Sequence, residues 1–96
     1  PISDLRRTGR TTRQIQAAKI DAVYIAPTRA AVQYTENLAR FLGRGDLHIV
    51  HREWLHSDKW RGITMNAVVL DHAIELNQRE WDLLGEVQWR VSAHRA

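Results

Sequence analysis

Four arginines lie within the first thirteen residues of the chain, and arginine is well suited to contacting phosphate. They are Arg6, Arg7, Arg10 and Arg13, and the accompanying acidic residue is Asp4. A guanidinium ion neutralises phosphate and offers several N–H donors, so the cluster predicts contact with the phosphates of nucleic acid or of a nucleotide. The alternative interpretation is a solvated N-terminal segment without a ligand, and the sequence leaves both open.

A second candidate surface combines tryptophan with basic residues. Trp60 stands between Lys59 and Arg61, and Trp54 precedes Trp60 by six residues. An aromatic ring flanked by cations can stack on a base or anchor a protein partner. These four residues are therefore the predicted partner-binding residues. The alternative is that Trp60 closes the core beneath a loop.

Metal, thiol and hydrolytic-triad chemistry are not indicated. The five histidines lack the HExxH or paired Cys/His spacing of zinc sites, and no Gly-x-Ser-x-Gly elbow is present. The absence of cysteine excludes disulfides and predicts a reducing compartment, with the cytoplasm as the expected location. Apolar runs of about five residues are far below the ~20 that a bilayer-spanning helix needs, so no membrane partner is predicted.

Three short apolar segments are the predicted strands. They comprise residues 22–26, 47–50 and 67–70. The first of them lacks the polar alternation of a strand with one solvated face. This pattern is typical of parallel strands that are covered on both sides. A short helical turn is predicted around residues 53–55, and a loop from Ser57 to Thr64.

Helices are predicted between and around these strands. The first runs from Thr11 to Lys19, with an N-cap at Thr11 or Thr12. The second follows an N-cap at Thr28, and its three- and four-residue spacing predicts an inward face formed by Ala31, Tyr34, Leu38 and Phe41.

The last helix begins at a capping box. Asn77 and Glu80 have the required spacing of three residues, and a hydrophobic stripe follows them. The inward face is predicted to consist of Trp81, Leu84, Val87 and Val91.

Alternating helices and strands predict a small three-layer α/β domain, with a short, mostly parallel sheet of about three strands flanked by helices. At 96 residues, a single domain spanning 1–96 is expected, with residues 1–10 forming a basic N-terminal arm or a degenerate phosphate loop. Ligands of such sheets bind at the carboxyl ends of the strands, which is where Pro27, His51 and Asp71 fall.

Three segments resemble motifs of RecA-like P-loop NTPases, in particular the motor domain of DEAD-box (superfamily 2) helicases. Gly9–Thr12, with the sequence Gly-Arg-Thr-Thr, resembles the end of a Walker A loop. Pro27–Arg29 resembles the Pro-Thr-Arg segment that contacts the nucleic-acid backbone in that family. Val68–Ala73 resembles the Walker B strand, with Asp-His-Ala where Asp-Glu-Ala is expected.

The resemblance implies roles for individual residues. Arg10 occupies the position of the Walker A lysine, and Thr11 and Asp71 match the groups that organise magnesium, so Mg-nucleotide is the cofactor that the likeness implies. The implied phosphate- or nucleotide-binding residues are Gly9, Arg10, Thr11, Thr12, Asp71 and His72. The predicted nucleic-acid-binding residues are Arg6, Arg7, Arg13, Thr28 and Arg29.

The departures from the family pattern argue against efficient catalysis. Asp4 stands where the leading Walker A glycine is expected, and His72 replaces the glutamate that polarises the attacking water. No apolar strand precedes Thr8, and the chain has no second motor domain. No residue is therefore assigned a catalytic role, and efficient hydrolysis of nucleoside triphosphates is not expected.

The leading hypothesis is an accessory protein that binds nucleic acid or nucleotide phosphates without efficient turnover. A reduced version of a large enzyme domain is typical of phage or mobile-element proteins, and that origin is a hypothesis. The alternative is a protein–protein interaction module that inhibits or adapts a host enzyme. A third hypothesis is a weak ATPase completed by oligomerisation, and the sequence leaves the oligomeric state open.

Overall fold

The computed structural model describes the backbone of residues 2–63 and 65–95 and the side chains of residues 9–63 and 65–91. Within these residues, helices and strands alternate along the chain, as predicted from the sequence. The elements are α1 (Ile2–Ala17), β1 (Val23–Ala26), α2 (Arg29–Phe41), β2 (His48–His51), β3 (Val68–Leu70) and α3 (Gln78–Arg95), with two short 3₁₀ helices (Arg52–His56 and Lys59–Gly62) between β2 and β3. None of the described helices is long and apolar enough to cross a membrane.

The three strands form a parallel sheet in the order β2-β1-β3. Tyr24 in the central strand is aligned with Ile49 on one side and with Val69 on the other. The predicted mixed α/β fold with a short parallel sheet is therefore confirmed. The carboxyl ends of all three strands lie along one edge, because the strands run in the same direction.

Each face of the sheet is covered by its own apolar cluster, which gives the domain three layers. On one face, Tyr24, Ile49 and Val69 pack with residues of α1 and α2, among them Ile15 and Ala39. The opposite face carries a second cluster with α3 and the 3₁₀ helices, formed by Val23, Ile25, Val50, Leu55, Trp60, Met65, Val68, Leu70, Leu84, Val87 and Val91. Side chains of successive strand residues alternate between the two clusters, which explains why the central residues of every strand are apolar or aromatic.

The helix caps confirm the predictions made from local sequence. The Thr28 hydroxyl accepts a hydrogen bond from the N–H of Ala31 at 3.0 Å. At the start of α3, Asn77 accepts from the Glu80 N–H at 2.8 Å, and the Glu80 carboxylate accepts from the Asn77 N–H at 3.0 Å. Gly43 ends α2 with a φ of 75°, a left-handed conformation that glycine adopts without strain.

The first helix begins earlier than the sequence predicts. We expected its N-terminus near Thr11, whereas α1 starts at Ile2 and continues without a break through Gly9. A single glycine within a helix costs only about 1 kcal/mol, so Gly9 does not by itself end α1. Residues 2–10 therefore belong to α1 and do not form a phosphate loop.

The inward faces of α2 and α3 differ from the predicted stripes. Tyr34 and Phe41 are exposed, and the small residues Thr35 and Ala39 face the sheet in their place. Trp81 is half exposed, since the inward position in the first turn of α3 belongs to Glu80. Small side chains allow α2 to approach the sheet closely, and the buried glutamate of α3 is held by an ion pair that a hydrophobic pattern does not reveal.

Candidate nucleic-acid interface

The carboxyl edge of the sheet brings several of the predicted residues to one side of the domain. β1 is followed by Pro27–Arg29, β2 by Arg52 and Glu53, and β3 by Asp71 and His72. Helix α1 crosses this edge at Gln14, whose side-chain N–H donates to the carbonyl oxygen of Leu70 at 2.7 Å. The edge is therefore assembled from α1 and from the residues that follow each strand.

A buried hydrogen bond joins the central strand to Asp71. The Tyr24 hydroxyl lies 2.7 Å from one carboxylate oxygen of Asp71 and 3.1 Å from the side-chain oxygen of Gln14. The single hydroxyl proton goes to Asp71, because that bond is shorter and its acceptor is charged. Burial and the adjacent carboxylate raise the pKa of Tyr24 above its ordinary value, so this group stays a neutral donor.

Gln14 fixes the tautomer of His72. Its amide N–H is bonded to Leu70, so its oxygen points towards His72, accepting from the backbone N–H at 3.0 Å and lying 3.2 Å from Nδ1. A carbonyl oxygen only accepts, and Nδ1 must therefore carry the proton. Nε2 is buried without a hydrogen-bond partner among the described residues.

The groups implied for magnesium binding do not fit that role in this conformation. Both carboxylate oxygens of Asp71 are already acceptors, one from Tyr24 and the other from the Ala73 N–H at 2.8 Å. The Thr11 side chain is buried and hydrogen-bonded to Tyr24. In the part of the chain whose side chains are described, no three His, Asp or Glu residues are grouped closely enough to hold a metal ion.

The backbone of Gly9–Thr12 is not arranged as a phosphate-binding loop. These residues lie in the interior of α1, where each N–H points along the helix towards the carbonyl of the preceding turn. A helix offers free N–H groups only in its first turn, which here begins at Ile2. Contact with phosphate would therefore have to come from side chains, among which Arg10 is exposed and Thr12 half-buried.

Thr28 and Arg29 are already engaged within the domain. The Thr28 hydroxyl caps α2, and the Arg29 guanidinium lies 3.2 Å from the Glu53 carboxylate in an exposed ion pair. Other arginines are paired in the same way, Arg44 with Asp46 and Arg52 with Glu80. The guanidinium groups of these arginines are therefore occupied by ion pairs within the domain.

Arg10 and Arg13 differ from these paired arginines. Both side chains are exposed, and neither forms an ion pair with another residue in the described part of the chain. They are three residues apart and share a helix face with Arg6, which precedes Arg10 by four. The side chains of Arg6 and Arg7 lie outside the described residues. We call Arg6, Arg10 and Arg13 the basic face of α1.

Of the four predicted partner-binding residues, Trp60 alone is fully buried. Trp60 is 0% exposed, and its indole N–H donates to the carbonyl oxygen of Leu55 at 2.9 Å, so its assignment as a partner contact is wrong. Large aromatic rings contribute most to stability when they fill a core, and Trp60 does so. The Arg61 guanidinium covers it, 4.5 Å from the centre of the ring. Trp54 is half-buried and lines a cleft of about 580 Å³, and Lys59 is exposed.

Two residues of the edge network, Tyr24 and Gln14, escaped the sequence interpretation. A tyrosine in a strand that is covered on both faces must find a partner for its hydroxyl, and this was the available signal for Tyr24. Gln14 lies one turn from Thr11 on the same helix face, but its partner Leu70 is 56 residues away. Such a long-range contact cannot be predicted from the local sequence around Gln14.

Comparisons of this chain with protein-family models, with curated proteins and with solved structures find no significant match. No family is identified. The function must therefore be argued from the geometry and the charge of the domain.

Removing the Tyr24 hydroxyl should destabilise the domain. The Tyr24→Phe change leaves a buried Asp71 oxygen without its donor, and hydrogen bonds to charged groups contribute about 1.5–3 kcal/mol. We expect the free energy of unfolding in urea to fall by that amount. Tyr34→Phe, at a tyrosine that is 47% exposed, is the comparison variant, and its loss should be smaller because water can replace a bond of an exposed hydroxyl. An equal loss in both variants would contradict the assigned role of the buried bond.

Proposed function

We propose that this chain binds nucleic acid through the phosphate backbone, with the basic face of α1 as the contact surface. The distribution of charge carries the proposal. Four arginines and one aspartate lie in α1, which therefore holds the whole formal net charge of +3, and outside it ten basic side chains balance ten acidic ones. A cationic helix on an otherwise neutral domain is the electrostatic pattern expected for a phosphate ligand.

The position of the basic face adds support. Gln14 and Thr11 mark where α1 passes the carboxyl edge of the sheet, and the C-terminal end of the helix lies against Arg44 at the opposite edge. The nine residues from Ile2 to Arg10 therefore extend roughly 13 Å beyond the carboxyl edge at 1.5 Å per residue. A projecting helix can approach a nucleic-acid backbone without a clash from the rest of the domain.

Nucleotide phosphate is the second ligand predicted from the sequence, and the resemblance to RecA-like P-loop NTPases points to it. The parallel sheet, with Asp71 after its edge strand, is compatible with that resemblance. The helical conformation of Gly9–Thr12 favours contact through arginine side chains over contact through backbone amides. We therefore propose a polymeric phosphate ligand in preference to a single nucleotide.

Binding to a protein partner stays a prediction, and the candidate surface for it differs from the one predicted from the sequence. Its predicted anchor Trp60 is buried, whereas Trp81 and Trp89 on α3 are exposed. If a host protein is the partner, those two tryptophans are the better candidates, because tryptophan is enriched among residues that dominate binding energy. The cytoplasmic location and the phage or mobile-element origin also stay predictions.

The double change Arg10→Ala and Arg13→Ala should abolish most binding to nucleic acid. Each released counterion contributes about tenfold in affinity near 50 mM salt, so losing two contacts should weaken binding roughly 100-fold. Fluorescence anisotropy with a labelled single-stranded oligonucleotide and with a duplex measures the loss and distinguishes the two polymers.

Two single changes serve as controls for this experiment. Arg79→Ala removes an exposed arginine on α3, and Arg29→Ala removes one already paired with Glu53, so we expect less than a threefold loss in either. Equal losses in all the variants would show that binding follows total charge and not the basic face. Absence of binding to both polymers at low salt would refute the proposal.

A further inference from the structure

The cleft beside Trp54 opens on the face of the sheet that packs against α3. Its volume of about 580 Å³ is within the roughly 300–1,000 Å³ of small-molecule sites. Val23 and Met65 line it with buried apolar side chains, and Ile63, which is 50% exposed, adds a further apolar wall. Such a lining favours a ligand with an apolar body.

This cleft lies at the amino ends of the strands. Val23 and His48 are the first residues of β1 and β2, and Asn66 precedes β3. The basic face of α1 projects beyond the opposite, carboxyl edge of the sheet. The cleft is therefore separate from the proposed phosphate contact, and a ligand bound there does not depend on nucleic acid.

Two hydrogen-bond acceptors stand next to each other on the polar side of the cleft. Asp21 and Asn66 each precede by two residues the aligned pair of Val23 and Val68, which places them side by side at this end of the sheet. The Asn66 amide N–H donates to the carbonyl oxygen of Ile20 at 2.9 Å. Its side-chain oxygen has no partner among the described residues and is left to accept from a ligand.

The carboxylate of Asp21 gives the lining its negative charge. It forms no hydrogen bond or ion pair within the part of the chain whose side chains are described. Asp46 accepts from the Asp21 N–H at 2.9 Å, but that second carboxylate is paired with Arg44. Lys19, two residues earlier, is exposed, is not part of the lining and does not pair with Asp21. An unpaired carboxylate beside an apolar surface is complementary to a cation with an apolar body.

We propose that this cleft binds a primary amine carried by a small aromatic group. The ammonium donates to the Asp21 carboxylate and to the Asn66 side-chain oxygen, and the aromatic group packs against Met65. The half-buried indole of Trp54 supports the same ligand, because the face of a tryptophan ring attracts a cation. His48 also lines the cleft, and an uncharged imidazole offers one nitrogen that accepts a further N–H.

Three compounds with the same phenyl ring test the selection for a cation. They are 2-phenylethylamine, the neutral 2-phenylethanol and the anionic 3-phenylpropanoate, each titrated into the full chain by two-dimensional proton–nitrogen NMR, with the Trp54 indole N–H reporting on the cleft. For the amine we expect a dissociation constant on the order of 1 mM, as suits so small a ligand. The alcohol should bind about fivefold more weakly, and the carboxylate more weakly still. No shift with about 10 mM amine, or binding of the alcohol or carboxylate as tight as that of the amine, would overturn the proposal.

The change Asp21→Asn tests the role of the carboxylate. Asp21 and Asp58 both have a left-handed backbone, with φ of 59° and 60°, and asparagine adopts this conformation as aspartate does. Asp21→Asn should weaken binding of the amine about fivefold, since an exposed ion pair contributes up to about that factor, and should leave binding of the alcohol unchanged. Asp58→Asn is the matched control outside the cleft and should change neither. Equal effects of the two variants on the amine would overturn the assignment of Asp21.

The change Ile63→Ala tests the apolar wall. It removes part of the surface that covers the ring, so binding of the amine and of the alcohol should both weaken about threefold. Ile20→Ala is the matched control, because Ile20 is 68% exposed and does not line the cleft. Equal binding by the two variants would overturn the placement of the aromatic group.

Discussion

Replacing Trp60 by alanine should lower the free energy of unfolding of the domain by about 3–5 kcal/mol. Trp60 is fully buried against the apolar cluster beneath α3, and its indole N–H is bonded to the carbonyl of Leu55. Removing a buried aromatic side chain leaves a cavity and loses its packing contacts, and the cost is a large share of the roughly 5–15 kcal/mol by which native domains are stable. Two arginines, Arg61 and Arg90, would also lose the ring on which they lie, at 4.5 and 5.6 Å from its centre.

Urea denaturation followed by circular dichroism measures this loss. Trp89→Ala is the matched control, because it removes the same side chain from an exposed position and should change the unfolding free energy by less than about 1 kcal/mol when measured at low micromolar concentration. If Trp60→Ala folded normally and lost only partner binding, the assignment of this residue to the core would be wrong.

Replacing Glu80 by alanine should destabilise the domain by about 3–4 kcal/mol. Glu80 is 3% exposed and accepts hydrogen bonds from Arg52, from His56 Nε2 at 3.1 Å and from the backbone N–H of Asn77 at 3.0 Å. Removing one partner of a buried ion pair leaves the other charge without compensation, and the capping box is lost as well. Part of this cost is relieved because Arg52 is 29% exposed and can regain water.

Glu86→Ala is a control on the same helix. Glu86 also pairs with an arginine, Arg61, at 3.0 Å, but its side chain is 53% exposed. Exposed ion pairs contribute about 0–1 kcal/mol, so this change should be nearly neutral in the same urea titration. Similar losses for Glu80→Ala and Glu86→Ala would contradict the claim that the Glu80 ion pair contributes more because it is buried.

Glu80 also makes the free energy of unfolding depend on pH. The hydrogen bond from Arg52 lowers the pKa of Glu80 to about 2 from an ordinary value of 4.5, so the unfolded chain takes up the proton first as the pH falls. The stabilisation is complete above about pH 5 and decreases towards pH 2. Asp46, whose pKa is also lowered to about 2 beside Arg44, contributes in the same range.

Unfolding free energies measured between pH 2 and pH 7 test this dependence. In Glu80→Gln the side chain has no proton to gain, so the curve should become flatter without losing all its slope, since Asp46 remains. An unchanged acid dependence in Glu80→Gln would show that the ion pair with Arg52 does not hold Glu80 in its charged form.

Features fixed by local chemistry could be predicted from the sequence. The cap at Thr28 and the box formed by Asn77 and Glu80 follow from side chains that hydrogen-bond within three residues of themselves. The parallel sheet follows from the alternation of helices with short, mostly apolar strand segments. The caps depend on contacts between neighbours in the chain and the sheet on the order and apolar character of its segments, and the structure confirms both.

Features fixed by tertiary contacts could not be predicted. Glu80 occupies an inward position because Arg52, 28 residues earlier, neutralises it, and this leaves Trp81 on the outer side of α3. Trp60 is internal although both of its neighbours are basic, since those side chains extend to the surface around the ring. At the carboxyl edge, the partners of Asp71 and His72 come from elements distant in sequence. The sequence therefore predicted that both residues follow the last strand, but it did not predict which side chains they contact.

The most direct test of the proposed function is the salt dependence of binding to a single-stranded oligonucleotide. The slope of log K against log salt falls by about 0.7 for each phosphate contact that is lost. We predict that Arg10→Ala with Arg13→Ala flattens the slope by about 1.4 relative to the unaltered chain, and that Arg79→Ala leaves it unchanged. A slope that is the same in the double variant and in the unaltered chain would contradict a phosphate interface on α1.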